Sequence, residues 1–325
     1  LLGSRIFDKD IDIFRDIIIS ALKEQDPVFE LTIEERYTAK THGKVLQPSH
    51  VLRKGLAEGL AILGSQPNVC VNCSQGKAET TCGAVIRELL INADWVLWGS
   101  LNGLLPTLAE AAPNVFLDMV ESAMRLTPCP FDELFSQEDT GITGNNYLTG
   151  LLWALEGLAW DEKQLVRVCV DLAELANRDP GGQWANRPLN SLVTILLPWL
   201  PQTLASVDKR RVAVQTVFNE WPNIAWNLII QLLPDQRQTS SGSYKPSWRK
   251  IIPDDWSKGV TNKEYWQQTV FYAELAVSAA GQDTARLSTV IDHFSSLPNS
   301  AFDLLLQTLA SNPILELPEE QRLLI

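Results

Sequence analysis

Three cysteines lie close together in the chain. Cys70 and Cys73 form a Cys-x-x-Cys pair, and Cys82 follows after eight intervening residues. Three thiolates are a partial ligand set for structural zinc, which takes four ligands in a tetrahedron. The nearest candidates for a fourth are His50 and Cys129, both distant in sequence. The second ligand pair is missing, so the spacing favours free thiols in a loop over a metal site. A redox pair is weaker still, because no βαβ pattern surrounds it. Nucleophilic catalysis finds no better support. The chain has three histidines, His42, His50 and His293, and no Gly-x-Ser-x-Gly elbow. The carboxylate pairs Glu34-Glu35 and Glu319-Glu320 read as solvated helix faces.

Phosphate chemistry is the next test, raised by "DPGGQWANRPLNSL" from Asp179 to Leu192. A P-loop needs Gly, four residues, Gly-Lys and then a hydroxyl residue, so that backbone amides cradle the phosphates and the hydroxyl meets magnesium. Gly76-Lys77 has Val71 and Ala78 at the other two positions, and Gly43-Lys44 is followed by Val45; both fail. "GLAWDE" imitates a magnesium-binding acid after an apolar run, but its periodicity is helical and Asp161 reads as an N-cap. The Gly pair instead reads as a corner. Asp179-Pro180 stops one helix near Arg178, Gly181 and Gly182 supply positive φ, and Pro188 opens the next helix. Trp184 is expected to fill the corner, and Arg187 to pair with a carboxylate or helix-end carbonyls there, or else to face a ligand. No cofactor and no catalytic residue is predicted.

One basic and aromatic cluster remains: Tyr244, Lys245, Trp248 and Arg249, with Lys250 beside them. Stacking rings interleaved with cations can hold single-stranded nucleic acid. The cluster is short and Asp254-Asp255 follow, which favours a solvated loop or one that meets an acidic neighbour. Tyr244, Lys245, Trp248 and Arg249 are therefore carried only as a candidate ligand face. The chain also has eleven tryptophans. Most are expected as wedges between helices, and a minority as exposed anchors for a partner.

The elements that must position these residues are helical. "VLRKGLAEGLAILGS" sets Val51, Leu52, Leu56, Leu60 and Leu63 at spacings of three and four, and "QLVRVCVDLAELANRD" repeats the pattern. Alternating strand-like runs are nearly absent, so the expected fold is all-α, an irregular HEAT/TPR-like solenoid or stacked helical-hairpin array. A weak repeat, "APNVFLDMV", "WPNIAWNLI" and "LPNSAFDLL", predicts helix starts with Asn114, Asn223 and Asn299 as N-caps. Residues 64–83 and 135–147 read as loops, and the stretch from Pro234 as a longer one. The expected divisions are an N-terminal helical segment over 1–45, a helical core over 46–235, a loop over 236–262 and C-terminal helices over 263–325. The chain opens "LLGSRIFDKD" without Met, which predicts a piece of a longer protein with more chain upstream of residue 1. Net charge −12 over 325 residues argues against a nonspecific nucleic-acid binder. No apolar run is long enough to span a membrane, and an odd number of cysteines at uneven spacing suggests a reducing cytoplasm.

"LTGLLWALEGLAWDEKQLVRVCVDLAELANRDPGGQWANRPLNSLVTILLPWLPQT", residues 148–203, resembles the C-terminal helical region of large bacterial STAND-type NTPases of antiviral defence. The resemblance extends over about 45–255 and is most specific at Asp179–Asn190 and Leu197–Thr203. The Cys-x-x-Cys loop and the segment after Trp256 lie outside it. It implies a noncatalytic sensor or scaffold array that recognises a foreign, often viral, protein and promotes oligomerisation, attached to an upstream ATPase and effector. A phage protein is then the expected partner, with homo-oligomerisation through the whole protein. Two alternatives stay open: a metal-dependent or otherwise catalytic helical module, and a nucleic-acid-binding solenoid.

Overall fold

The computed structural model describes residues 3–137, 145–235, 238–256, 259–315 and 318–322. Among them every regular element is a helix and no strand occurs, so the chain is all-α. No described helix is long and apolar enough to cross a membrane. The chain divides into two compact units. One comprises Leu1–Trp160, Arg178–Pro188 and Tyr244–Ile251; the other comprises Asp161–Asn177, Leu189–Ser243 and Ile252–Ile325.

In the first unit the helices are α1 (Asp8–Leu22), α2 (His50–Ser65), α3 (Lys77–Leu90), α4 (Trp95–Ser100), α5 (Leu105–Ala111), α6 (Pro113–Met124), α7 (Pro130–Ser136) and α8 (Thr149–Ala159). Their starts follow local chemistry. The Ser49 hydroxyl accepts from Leu52 N–H at 3.2 Å to open α2, and the Asp94 carboxylate accepts from Leu97 N–H at 2.8 Å to open α4. At the centre is α5, packed against α2 and α8. Six of its seven residues are buried, all but Thr107. A helix apolar nearly all round belongs in a core, and that makes the one carboxylate on α5, Glu110, conspicuous. Gly64 allows the end of α2 to reach α5, because a Cβ there would lie 2.0 Å from the Ala111 carbonyl oxygen.

The second unit is built from most of α9 (Leu165–Arg178) and α10 (Pro188–Leu196), with α11 (Val207–Glu220), α12 (Pro222–Leu232), α13 (Asn262–Ala280), α14 (Thr284–Ile291) and α15 (Asn299–Leu309). Within it α13 packs against α11, α12, α14 and α15. Its small buried face of Ala273, Ala276 and Ala280 permits close approach, with Tyr272 fully buried beside it.

Four local expectations need correction. The Pro-Asn motifs do open α6, α12 and α15, but Asn is not the cap. Pro113 and Pro222 take the first helical position, where a missing N–H and a fixed φ cost nothing; Pro298 is the residue ahead of α15, and Asn299 its first residue. Residues 77–83 are not loop but the first half of α3. Its outward positions are polar there, which hid an apolar face of Ala78, Cys82, Val85 and Ile86. Asp161 likewise does not cap α9 directly. Its carboxylate accepts from Lys163 N–H at 2.9 Å in a turn, and the helix begins at Leu165. Of the loop read over residues 135–147, Phe135 and Ser136 belong to α7 and residues 138–144 lie outside the described part.

Candidate functional site

The basic and aromatic segment is a strap held on the first unit by its backbone. Glu110 is 3% exposed, and its two carboxylate oxygens accept three consecutive N–H groups: Ser247 at 2.9 Å, Trp248 at 2.7 Å and Arg249 at 2.8 Å. Three N–H donors thus meet the acceptor oxygens of a carboxyl group buried in a core. Arg249 then reaches over the helix ends. Its Nε donates to the Glu110 carbonyl at 2.6 Å and its Nη2 to the Gly64 carbonyl at 3.0 Å, so one guanidinium serves the last turns of both α5 and α2. Tyr244 stacks on Trp153, with ring centroids 5.8 Å apart, and its N–H donates to Glu156 at 2.8 Å. Trp160 Nε1 donates to the Tyr244 carbonyl at 2.9 Å, and Lys245 Nζ lies 5.6 Å from the Trp160 ring centroid. The acidic neighbours expected for this segment are thus Glu110 and Glu156, and they are met by backbone amides. Of the four residues, Lys245 presents an exposed side chain, Tyr244, Trp248 and Arg249 are half-buried, and the guanidinium is engaged within the fold.

The Gly-Gly corner also closes on itself. α9 ends at Arg178 and α10 begins at Pro188. Asp179 Oδ1 accepts from Gly181 N–H at 2.8 Å and from Arg187 Nη1 at 2.9 Å, and both side chains of that ion pair are nearly buried. The left-handed residue is Gly181, with φ 82°; Gly182 beside it is exposed. Trp184 is half-buried and Pro188 buried. Arg178 pairs with Asp132 at 3.2 Å and donates to the Met124 carbonyl at 3.0 Å. Arg187 therefore has its carboxylate partner inside the corner.

The cysteines do not assemble a metal centre. Cys82 sits in the middle of α3, where its thiol donates to the Leu60 carbonyl at 3.6 Å, and burial pushes its pKa to about 12. Cys73 donates to the Ile6 carbonyl, and Cys70 is buried. Among the described residues no group of three or more His, Cys, Asp or Glu is placed to hold a metal ion.

One open apolar surface of the first unit was not legible in any motif. A cavity of about 510 Å³ lies between α1, α2 and the turn at Pro67–Val69, with Ile6, Ile11, Phe14, Ile62, Leu63 and Val69 on its walls. Asp10 and Gln66 are its polar rim. α1 also exposes Ile13 and Ile17, one turn apart, and Ile62 and Val69 on the cavity wall are themselves exposed. The signal in the sequence was the apolar excess of "IDIFRDIII", wider than one buried stripe requires. Tryptophans divide as expected in kind: Trp98 and Trp160 are fully buried, whereas Trp153, Trp199 and Trp266 are exposed.

Comparison of the chain with protein-family models, with curated protein sequences and with solved structures gives no match.

Proposed function

We propose that this chain is a noncatalytic protein-recognition array, an irregular stack of helical hairpins, and that it serves as the sensor or scaffold region of a larger bacterial antiviral NTPase of the STAND type. The observation that carries the recognition reading is the apolar groove of the first unit. Exposed Ile62 and Val69 line a cavity of about 510 Å³ together with Ile6, Ile11, Phe14 and Leu63, and α1, which forms one wall, also exposes Ile13 and Ile17. Such a groove suits the apolar face of a partner helix, whose side chains would enter between α1 and α2. Asp10 on the rim favours a partner with a basic residue beside its apolar stripe. The resemblance over residues 148–203 supplies the antiviral context and the expectation of a phage protein as partner.

A photo-crosslinking residue at Ile17, with a control at exposed Val212, tests this in phage-infected bacterial lysate. The expected outcome is one foreign protein crosslinked at position 17, absent at 212 and lost when Ile62→Asp is added. Equal crosslinking at both positions, or none at Ile17, overturns the reading.

A further inference from the structure

The loop that leads into α3 sets two thiols side by side. Cys73 N–H donates to the Cys70 carbonyl at 3.1 Å, which closes a β-turn with Val71 and Asn72 at its centre. The two ends of such a turn have Cα atoms less than about 7 Å apart. A disulfide spans roughly 4.4–6.8 Å between Cα atoms. The turn alone therefore sets a spacing that one S–S bond can bridge, and no βαβ frame is needed for it. The two thiols are side-chain neighbours, and Cys70 acts on the Cys73 thiol both by charge and by hydrogen bonding. They differ in access. Cys70 is 7% exposed and lines the apolar cavity, whereas Cys73 is half-buried. One sulfur can be reached and the other waits behind it, which is the arrangement of an attacking and a resolving thiol.

The turn is braced on the N-terminal segment. Asn72 Nδ2 donates to the Ser4 carbonyl at 2.6 Å, Ser74 N–H to Asp8 Oδ1 at 2.8 Å and Lys77 Nζ to Asp12 at 2.5 Å. The Cys73 thiol donates to the Ile6 carbonyl at 3.5 Å. Asp8 and Lys77 are the charges beside it. Desolvation first, then Cys70 and Asp8, raise the Cys73 pKa, so its thiolate is scarce at neutral pH and its exchange slow. Cys82, Cys129 and Cys169 are all buried, with Cys82 engaged on the Leu60 carbonyl.

We propose that Cys70 and Cys73 are a reversible disulfide site, oxidised by small-molecule disulfides such as oxidised glutathione. The Cys73 thiolate attacks one sulfur of the small disulfide. A bond forms between Cys73 and that sulfur, the small S–S bond breaks, and the departing thiolate takes up the proton that Cys73 gave. The Cys70 sulfur, giving up its own proton, then displaces the second small thiol from Cys73. Two protein thiols are oxidised by two electrons in all, and one small disulfide is reduced to two thiols. Closure removes the thiol proton that the Ile6 carbonyl accepts, so the state of the pair reaches a residue on the cavity wall.

Equilibration of the whole chain in glutathione buffers of rising oxidised fraction, at mildly alkaline pH, tests the proposal. Acid quenching, alkylation and mass spectrometry then count and map the thiols. Two of the five thiols are expected to disappear together, map to Cys70 and Cys73, and return in reduced glutathione. Both serine variants are expected to fold, because each changes one atom and keeps a donor. Cys73→Ser should abolish the loss, and Cys70→Ser should leave glutathione stably attached to Cys73. The proposal fails if the native chain keeps all its thiols, if glutathione persists on its Cys73, or if the disulfide takes in Cys82, Cys129 or Cys169.

Discussion

Arg53 in the first unit and Arg210 in the second are each 2% exposed, and burial lowers the pKa of both. They differ in what surrounds the guanidinium. Arg53 donates to the carbonyls of Leu22 at 3.4 Å, Glu24 at 3.2 Å and Ser100 at 3.3 Å, gathering the C-terminal ends of α1 and α4. Among the described residues Arg210 Nε and Nη1 meet no acceptor. The same residue at the same depth is a structural clasp in one place and a charge with two unmet buried donors in the other. What separates them is how many donors are met: Arg53 leaves Nε without a partner but places Nη1 and Nη2 on carbonyls, whereas Arg210 leaves both Nε and Nη1 unmet, and an unmet buried donor carries its full desolvation cost.

Mutation of the satisfied charges should be severe. Glu110→Ala is expected to cost about 3–5 kcal/mol, because it frees three buried amides and the strap with them. Urea unfolding measures this, and a cost near zero would mean the strap is held by its rings alone. Arg53→Met should follow at about 2–3 kcal/mol, for the carbonyls left at the helix ends. Arg210→Met should behave oppositely, neutral or stabilising by about 1 kcal/mol. If both arginine variants lose stability equally, the contrast between them collapses.

The smallest effect concerns acid. Hydrogen bonds from Thr261, the backbone N–H first, hold the Glu264 carboxyl below its usual range. Its folded pKa is depressed, so its contribution is present above the unfolded value near 4.3 and is lost as pH falls through the folded value. Glu264→Gln should therefore lower Tm by about 1–3 °C at pH 7 and above and converge with the native chain at low pH, which flattens the acid limb of a Tm-against-pH curve. An unchanged acid limb would detach Glu264 from the cap of α13.

Helical class was legible because apolar spacings of three and four leave strands no alternative reading. The corner at Asp179 to Pro188 was legible too, since Pro and Gly restrict the backbone locally whatever surrounds them. The start of α3 was not, because a polar first turn looks like loop until its buried side is known. Neither was the role of Arg249: a basic side chain among aromatics reads as a ligand face, and only the position of the α2 and α5 carbonyls turns it inward. Two further cues lie in the sequence. Glu110 is the sole charge in "LLPTLAEAAP", and Arg210 occupies a core position of the α11 stripe.

By itself, then, the sequence determined the helices, the main turns and the negative balance of charge, all of which depend on neighbours a few residues away. The tertiary structure decided which charges are satisfied, how residues 244–251 join the unit of α1–α8, and where apolar surface stays open. Glu110 meets its donors 137 to 139 residues further along the chain. Periodicity carries no information at that range, because hydrogen bonding and burial depend on distance in space and not on distance in sequence.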